Sequence, residues 1–322
     1  MKSQRKTTIY FLIPPEVQLL DITGPAHIFY EAKEYGAEIN TLYLGMTTAG
    51  EEISSAGLSL GKLRPYKEYV LGENDLLFIP GMESHLFLNA DFTTTYGAFL
   101  KWLSDQYKNG AKICSVCTGA YILAFAGLLD RKSCTTHWKY FDDFSLRFPN
   151  VQILKDRLLV KDNTLYSSAG VSSGIDLALF LLEELFGPVF TSKIAKEVVI
   201  YLRRTESDPQ LSAFLQYRNH VDTRIHQVQD LISQNLDKKI KIEEFAERVY
   251  MSSRNLTRLF KKTVGLTLGD YQDQLRLELA QKLILEGEKI SFVTSACGLK
   301  STNQLRNLFK KYLKKLPSEV VR

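Results

Sequence analysis

Short, apolar, β-branched segments alternate with helical segments along the first half of the chain and disappear after about residue 220. The strand candidates are 8–13, 39–44, 75–79, 112–116 and 165–167, and the main helix candidates are 21–35, 96–108, 175–186 and one after 112–116 that runs to Leu129. This alternation predicts a parallel sheet with helices on both faces. Ligands of such sheets bind beyond the carboxyl ends of the strands. Pro80-Gly81, Cys117 and Gly170 follow strand candidates, so we expect them near a binding site.

After residue 220 the sequence predicts only helices, which form two helix-turn-helix patterns. The predicted helices of these patterns are 242–249, 253–263, 290–297 and 302–312, and a joining helix covers 268–286. Ser252 and Ser301 stand where a helix N-cap is expected. We therefore predict one domain over 1–205, a linker over 206–219 and an all-helical domain over 220–322.

The second helix of each pattern is amphipathic. Its apolar face includes Phe260 or Phe309, and its opposite face is polar and basic. The outward residues are Ser253, Arg254, Asn255, Arg258, Lys261 and Lys262 in one helix, and Thr302, Asn303, Gln304, Arg306, Lys310 and Lys311 in the other. In the major groove Arg reads guanine and Asn or Gln reads adenine, while Lys and Arg neutralise phosphates. The repeated pattern predicts an interface for double-stranded DNA.

The charge of the chain is distributed unevenly. Residues 218–322 contain 20 basic and 12 acidic residues, a net charge of +8, whereas residues 1–217 contain 21 basic and 24 acidic residues. A basic module joined to a mildly acidic one is typical of a nucleic-acid-binding segment on a body that binds something else. An unevenly charged solvated surface would give the same totals.

Residues 220–322 resemble the DNA-binding domain of AraC/XylS-type transcriptional regulators. The resemblance rests on Met251-Ser252, Arg258-Leu259-Phe260-Lys261, Gly265, Tyr271, Arg276-Leu277, Ala280, Gly298 and Phe309-Lys310-Lys311. Two departures lie at supporting positions: Leu299 stands where the family usually has Phe, and Lys315-Leu316-Pro317 replaces the family's Gly-x-Ser/Thr-Pro. These departures affect the expected packing of the second helix-turn-helix pattern more than its expected binding to DNA.

The first half resembles the PfpI and isonitrile hydratase branch of the class I glutamine amidotransferase-like superfamily. The matching segments are "LLDITGPAHIF", "LLFIPG", "SVCTGAYILAFAGLLDRKSCTTHW" and "SSAGVSSGIDLALFLLEELFG". The resemblance implies a flavodoxin-like α/β sandwich with Cys117 at a nucleophile elbow. It also implies that Asp21 hydrogen-bonds the cysteine and that Thr118 follows the nucleophile. Gly81-Met82 departs from the family's Gly-Gly at the oxyanion position.

The ligand-site candidates in this half are Asp21, Gly81, Met82, His85, Cys117, Thr118, His137 and Gly170. A catalytic thiolate needs a lowered pKa and a base within reach. His137 and His85 are the candidate bases, but "TTHW" also fits the cap of a helix over 138–148, and His85 also fits an ordinary loop residue. Asp21 is either a proton-sharing partner of Cys117, an N-cap, or both.

The four cysteines show no regular spacing, so no disulfide framework is expected. The Cys114–Cys117 pair has no second CxxC or His pair to complete a zinc site, and we expect no metal and no cofactor. Cys114, Cys134 and Cys297 fit small apolar core positions. This cysteine usage, and the absence of an apolar run of membrane-spanning length, favour a cytoplasmic protein without membrane contact.

The combined features predict a DNA-binding transcriptional regulator whose first domain senses a small molecule or dimerises. The expected partners are operator DNA, an unidentified effector, a second copy of the chain and RNA polymerase. Two other interpretations stay open: an isonitrile-hydratase-like or amidase enzyme that uses Cys117, and a thiol-based redox or electrophile sensor. Because no residue stands out as a base, we expect no hydratase or amidase turnover.

Overall fold

The computed structural model describes residues 7–47, 49–155, 157–200, 217–218, 220–239 and 241–319. The chain divides into two compact units, Met1–Gln210 and Leu211–Arg322. The predicted linker over 206–219 lies outside the described residues except for 217 and 218, so its boundaries remain predictions.

The elements of the first unit follow the predicted alternation. Its strands are β1 (Thr7–Ile13), β2 (Ile39–Gly45), β3 (Glu52–Ile53), β4 (Ser59–Leu60), β5 (Arg64–Pro65), β6 (Leu76–Ile79), β7 (Lys112–Val116), β8 (Ser133–Cys134), β9 (Gln152–Ile153), β10 (Leu159–Asp162) and β11 (Leu165–Ser168). Its helices are α1 (Leu19–Glu34), α2 (Ser84–Phe87), α3 (Phe92–Lys108), α4 (Gly119–Phe125), α5 (Phe141–Arg147), α6 (Ser173–Phe186) and α7 (Pro188–Glu197).

Seven strands form one sheet in the order β10-β11-β7-β6-β1-β2-β5, and every pairing is parallel except β10 with β11. Alternate residues of β1 enter opposite cores: Phe11 packs in the core with α1 and α6, and Leu12 packs in the core with α3 and α4. Buried strands such as β6 are apolar on both faces, as central parallel strands require. The predicted flavodoxin-like sandwich is confirmed.

The sheet reverses its winding at β1. The chain passes from β1 to β2 on one side, and later strands β6, β7 and β11 lie on the other side. At such a switch point the connections after neighbouring strands diverge and leave a crevice at the carboxyl ends. The segments after β1, β6 and β7, which contain Asp21, Gly81 and Cys117, all begin at this edge.

Several predicted helices begin or end elsewhere than expected. Helix α1 begins at Leu19 with Gln18 as its N-cap, so Asp21 lies in the first turn and the prediction of Asp21 as an N-cap is wrong. The helix expected to reach Leu129 ends at Phe125, because Gly127 has a φ of 72° and closes a Schellman cap. In that cap Leu128 N–H donates to Leu123 O at 3.0 Å and Gly127 N–H donates to Ala124 O at 2.9 Å. The helix expected over 138–148 is a 3₁₀ turn, Trp138–Tyr140, followed by α5.

The second unit is helical throughout its described residues, apart from connecting turns. Its longer helices are α8 (Thr223–Ser233), α9 (Ile242–Arg248), α10 (Ser253–Val264), α11 (Leu268–Leu285), α12 (Ile290–Ala296) and α13 (Thr302–Leu313). The two predicted helix-turn-helix pairs are therefore α9–α10 and α12–α13, joined by α11. Across the described parts of both units, no helix combines the length and apolarity needed to cross a membrane.

Candidate functional site

Cys117 lies at a strained turn between β7 and α4. Its φ of 56° falls in the left-handed region, which costs a non-glycine residue about 1–2 kcal/mol. Two neighbouring residues hold the turn: Cys117 N–H donates to Ser168 O, and the Thr136 hydroxyl donates to Cys117 O, both at 3.0 Å. The predicted elbow geometry is confirmed, although only 4% of Cys117 is exposed.

Two glycines let the elbow approach the end of β6. A Cβ on Gly119 would lie 2.1 Å from the carbonyl oxygen of Ile79, and no real side chain makes such a contact. A Cβ on Gly81 would lie 2.5 Å from Thr118 Oγ1 and 2.9 Å from Asp21 Oδ2. The close packing of these three segments therefore depends on the missing side chains of both glycines.

Asp21 is buried beside the cysteine, as the family resemblance implied. Its Oδ2 accepts a hydrogen bond of 2.8 Å from Gly81 N–H, whereas its Oδ1 has no partner of regular geometry among the described residues. Burial raises the pKa of Asp21 to about 7, and bonds from Gly81 and the Cys117 thiol only partly offset this effect. The carboxyl therefore exchanges its proton near neutral pH.

The thiol of Cys117 is held in its protonated form. Burial raises its pKa well above the ordinary cysteine value, and the adjacent Asp21 carboxyl raises it further. The N–H and hydroxyl of Thr118 lower the pKa, but these groups carry no net charge and do not compensate. Reactive cysteines need a cation or a strong dipole to form the thiolate. In this geometry Cys117 is a buried thiol whose surroundings favour the protonated form.

The other pocket candidates lie in three places. Met82 and Thr118 are buried with Cys117, and the backbone of Met82 bridges to Val17 in the segment after β1. His137 and Gly170 lie near each other, since a Cβ on Gly170 would be 3.7 Å from His137 Cδ2. His85 is exposed and pairs with Glu16 at 3.6 Å.

Each histidine contacts groups other than the Cys117 thiol in the described structure. His137 Nδ1 accepts a hydrogen bond from Lys139 N–H at 3.2 Å and caps the 3₁₀ turn that follows it. Burial, aided by the charge of Lys139, lowers the pKa of His137, so its imidazole is neutral at neutral pH. The capping interpretation of "TTHW" is confirmed. Sequence reasoning missed Thr136 and Ser168, which hold the backbone of Cys117 through a side-chain hydroxyl and a carbonyl oxygen, respectively.

The remaining cysteines are core residues. Cys114, Cys134 and Cys297 are each buried, and burial raises the pKa of each thiol. Within the described ranges no three His, Cys, Asp or Glu side chains converge as metal ligands would.

The first helix-turn-helix pair presents a basic surface. Tyr250, in the turn before α10, has a φ of 55°, and Ser252 Oγ accepts from Asn255 N–H at 3.3 Å as the N-cap. Leu256 and Phe260 are fully buried. On the opposite face Arg254, Asn255, Arg258, Lys261 and Lys262 are exposed, and Ser253 is half-buried. No hydrogen bond or ion pair among the described residues engages the Arg254 or Arg258 guanidinium.

The second pair has the same construction. Gly298 turns the chain with a φ of 62°, Ser301 Oγ accepts from Gln304 N–H at 3.4 Å, and Leu305 and Phe309 are fully buried. Thr302, Asn303, Gln304, Arg306 and Lys310 are exposed. The sequence pattern predicts that Ile290, Val293, Thr294 and Cys297 face inward. Val293, Thr294 and Cys297 are buried, but Ile290 is 38% exposed because it begins α12 beyond the core.

Two outward residues of α13 are already engaged. Lys311 pairs with Asp270 at 2.8 Å and Asp273 at 3.2 Å on α11, and the Asp270 bond is the main cause of its raised pKa. The Gln304 carbonyl accepts from Lys300 N–H at 2.7 Å, so its amide N–H₂ is the part available to a partner. An open groove of about 480 Å³ runs beside α13. It is partly lined by Lys239, Lys300 and Asn307, which sequence reasoning did not single out.

Comparison with known proteins agrees with both units. The DJ-1/PfpI family matches residues 7–184, and a helix-turn-helix domain family matches residues 245–322. The transcriptional regulator CdhR of Pseudomonas aeruginosa is 25% identical over 96% of this chain and 90% of its own length. The isonitrile hydratase of Pseudomonas putida is 32% identical over 56% of this chain and 72% of its own length.

A crystal structure of an AraC family transcriptional regulator from Pseudomonas putida superposes with a TM-score of 0.51 at 21% identity. The superposition covers 60% of this chain and 98% of the crystallised chain. At 21% identity this similarity supports the fold alone. CdhR, which spans both units, and the helix-turn-helix family match relate the whole chain to helix-turn-helix transcriptional regulators. The chain belongs to the DJ-1/PfpI family and, with its AraC-type helix-turn-helix domain, to the DNA-binding transcriptional regulators of that family.

Proposed function

We propose that the second unit reads operator DNA through α10 and α13, while the first unit recognises a small molecule at the Cys117 elbow. The observation that supports this most directly is the pair of capped helices with exposed basic faces. Each helix has the width and donor set that a major groove accepts. Such a regulator acts where the chromosome is, in the cytoplasm, and its partners would be DNA, an effector, a second copy of the chain and RNA polymerase.

Mapping of bound chromosomal DNA in cells tests the DNA-binding half of this proposal. We expect a small set of promoter-proximal sites with a shared motif. Affinity for a duplex from such a site should fall steeply between about 50 and 200 mM salt, because phosphate contacts release counterions. Binding without salt dependence would contradict the assignment of the basic surface. The genes beside the bound sites would indicate the chemical class of the effector.

The elbow supports ligand recognition without turnover. Its thiol is protonated and buried, and neither His85 nor His137 contacts it as a base. Asp21, with a pKa of about 7, is the group best able to exchange a proton with a ligand there. A first unit of this kind can bind an electrophilic or polar carbon centre next to Cys117 without completing a catalytic cycle.

The likeness to isonitrile hydratase makes enzyme activity the second candidate function, since Asp21 and Cys117 are both present and adjacent. We expect no turnover of a simple isonitrile or amide above the background of a Cys117→Ala variant. Product formation can be followed chromatographically with the full chain. Turnover that disappears in both Cys117→Ala and Asp21→Asn would show that the elbow is a working active site.

A further inference from the structure

The two helix-turn-helix halves of the second unit have separate apolar cores. Leu268, Tyr271 and Leu275 of α11 belong to the core of the first half. The following turns of α11 contribute Leu277, Ala280 and Ile284 to the core of the second half. Packing inside each half therefore does not set the angle between the halves. Helix α11 joins them, but a single helix can bend along its length.

A loop from the first half crosses this gap. Arg276, on α11, donates from Nε to Leu236 O and from Nη2 to Lys238 O, both at 3.0 Å. Gln272 Nε2 donates to the same Lys238 oxygen at 3.2 Å. A planar guanidinium can donate to two carbonyl groups at once with fixed geometry, which a lysine ammonium cannot. Arg276 therefore fixes the loop after α8 to the middle of α11.

The turn of the second half closes on the other side of this loop. A Cβ on Gly298 would lie 2.6 Å from the carbonyl carbon and oxygen of Asp237, and Gly298 has a φ of 62°. Both the space and the backbone conformation therefore require glycine. The Cys297 thiol donates to Arg276 O at 3.4 Å and ties the end of α12 to the same turn of α11. The loop 236–238 is thus held between Arg276 and Gly298.

We propose that Arg276 and Gly298 are positioning residues that set the separation of the two DNA-reading helices by clamping loop 236–238 between the halves. The clamp rests on the proposed reading of DNA by α10 and α13. Once one helix is bound, the second binds as an intramolecular event whose effective concentration depends on how well its position is fixed. A rigid clamp raises that concentration for one spacing of the DNA half-sites and lowers it for all others.

The full-length Arg276→Lys variant tests the clamp. A duplex selected from random sequence by the wild-type protein serves as the probe, together with two derivatives in which one half of the footprint is scrambled. We expect the variant to lose about tenfold or more in affinity for the intact duplex but less than about twofold for either scrambled duplex. Insertion of one base pair between the halves should weaken the wild type far more than the variant.

Three further variants make the test selective. Lys282→Met removes a charge from the exposed side of α11 and should leave the ratio of intact to scrambled affinities unchanged. Gln272→Met removes one of the three hydrogen bonds to the loop. It should also lose affinity selectively for the intact duplex, but by a smaller factor than Arg276→Lys. Gly298→Ala should show the same selective loss without any change in charge. Circular dichroism verifies that each variant is folded.

The clamp is overturned if Arg276→Lys and Gln272→Met bind the intact duplex as the wild type does, or if they lose equal affinity for intact and scrambled duplexes. Equal losses would mean that Arg276 contacts DNA or supports only one half. Failure of the proposed DNA reading is distinguishable from failure of the clamp. If α10 and α13 do not read DNA, the wild-type protein would bind the intact and the scrambled duplexes with equal affinity.

Discussion

Replacing Gly119 with alanine should destabilise the first unit by about 3 kcal/mol or more, at the upper end of the cost of overpacking, because the new Cβ would meet backbone atoms and not a side chain that can turn away. The added Cβ would meet the Ile79 carbonyl oxygen at 2.1 Å and its carbonyl carbon at 2.9 Å. Relief requires α4 to move away from β6, which would also separate Thr118 and Cys117 from Gly81 and Asp21.

The measurement is denaturant unfolding of the full chain followed by tryptophan fluorescence. Both tryptophans, Trp102 and Trp138, belong to the first unit, so this signal reports that unit alone. Gly97→Ala is the matched control: it lies inside α3 with no atom within 4 Å of the new Cβ, and should stabilise by about 0.5–1 kcal/mol. A Gly119→Ala protein as stable as the wild type would show that the elbow does not need this close approach.

Arg258→Ala and Arg306→Ala should each weaken binding to the selected duplex by about 1–3 kcal/mol if the guanidinium contacts a guanine. Each arginine is exposed on a DNA-reading helix, α10 or α13. Loss of one phosphate contact instead would weaken binding to all sequences alike and reduce the slope of log affinity against log salt by about 0.9. Affinities for specific and unrelated duplexes over a salt series separate the two cases.

Two control variants sharpen this comparison. Arg258→Lys keeps the charge but cannot make the two parallel bonds to guanine, so specificity should fall while the salt slope is retained. Lys101→Ala removes one positive charge from the exposed face of α3 in the other unit and should leave both quantities unchanged. Arginine variants that behave like Lys101→Ala would exclude these faces from the interface.

Much of the architecture could be predicted because its determinants are local. The strand over 112–116 was predicted with the bounds it has, since a short apolar run after a turn and before a helical pattern admits few alternatives. Ser252 and Ser301 were identified as caps because a cap involves only residues within one turn. The end of α4 was misjudged because the apolar pattern continues past Gly127, whose positive φ stops the helix.

The chemistry of the site was less predictable. Lys311 is exposed, as expected, but its ammonium also pairs with Asp270, 41 residues away along the chain, which the pattern did not indicate. His137 and His85 were candidate bases. In the structure His137 caps the 3₁₀ turn that follows it, and the exposed His85 lies beside Glu16. No spacing rule distinguishes these roles, because each depends on the side chain that another element brings beside it.

The sequence by itself determined the two-part architecture, the double helix-turn-helix pattern and the position of Cys117 at an elbow, since these follow from periodicity, caps and turn residues within short windows. Only the tertiary structure decided that the Cys117 thiol stays protonated, that Asp21 has a pKa of about 7, and that Arg276 holds a loop 38 and 40 residues distant. The reason is physical: desolvation and hydrogen-bond geometry depend on which distant atoms surround a group, and that is settled when the elements pack.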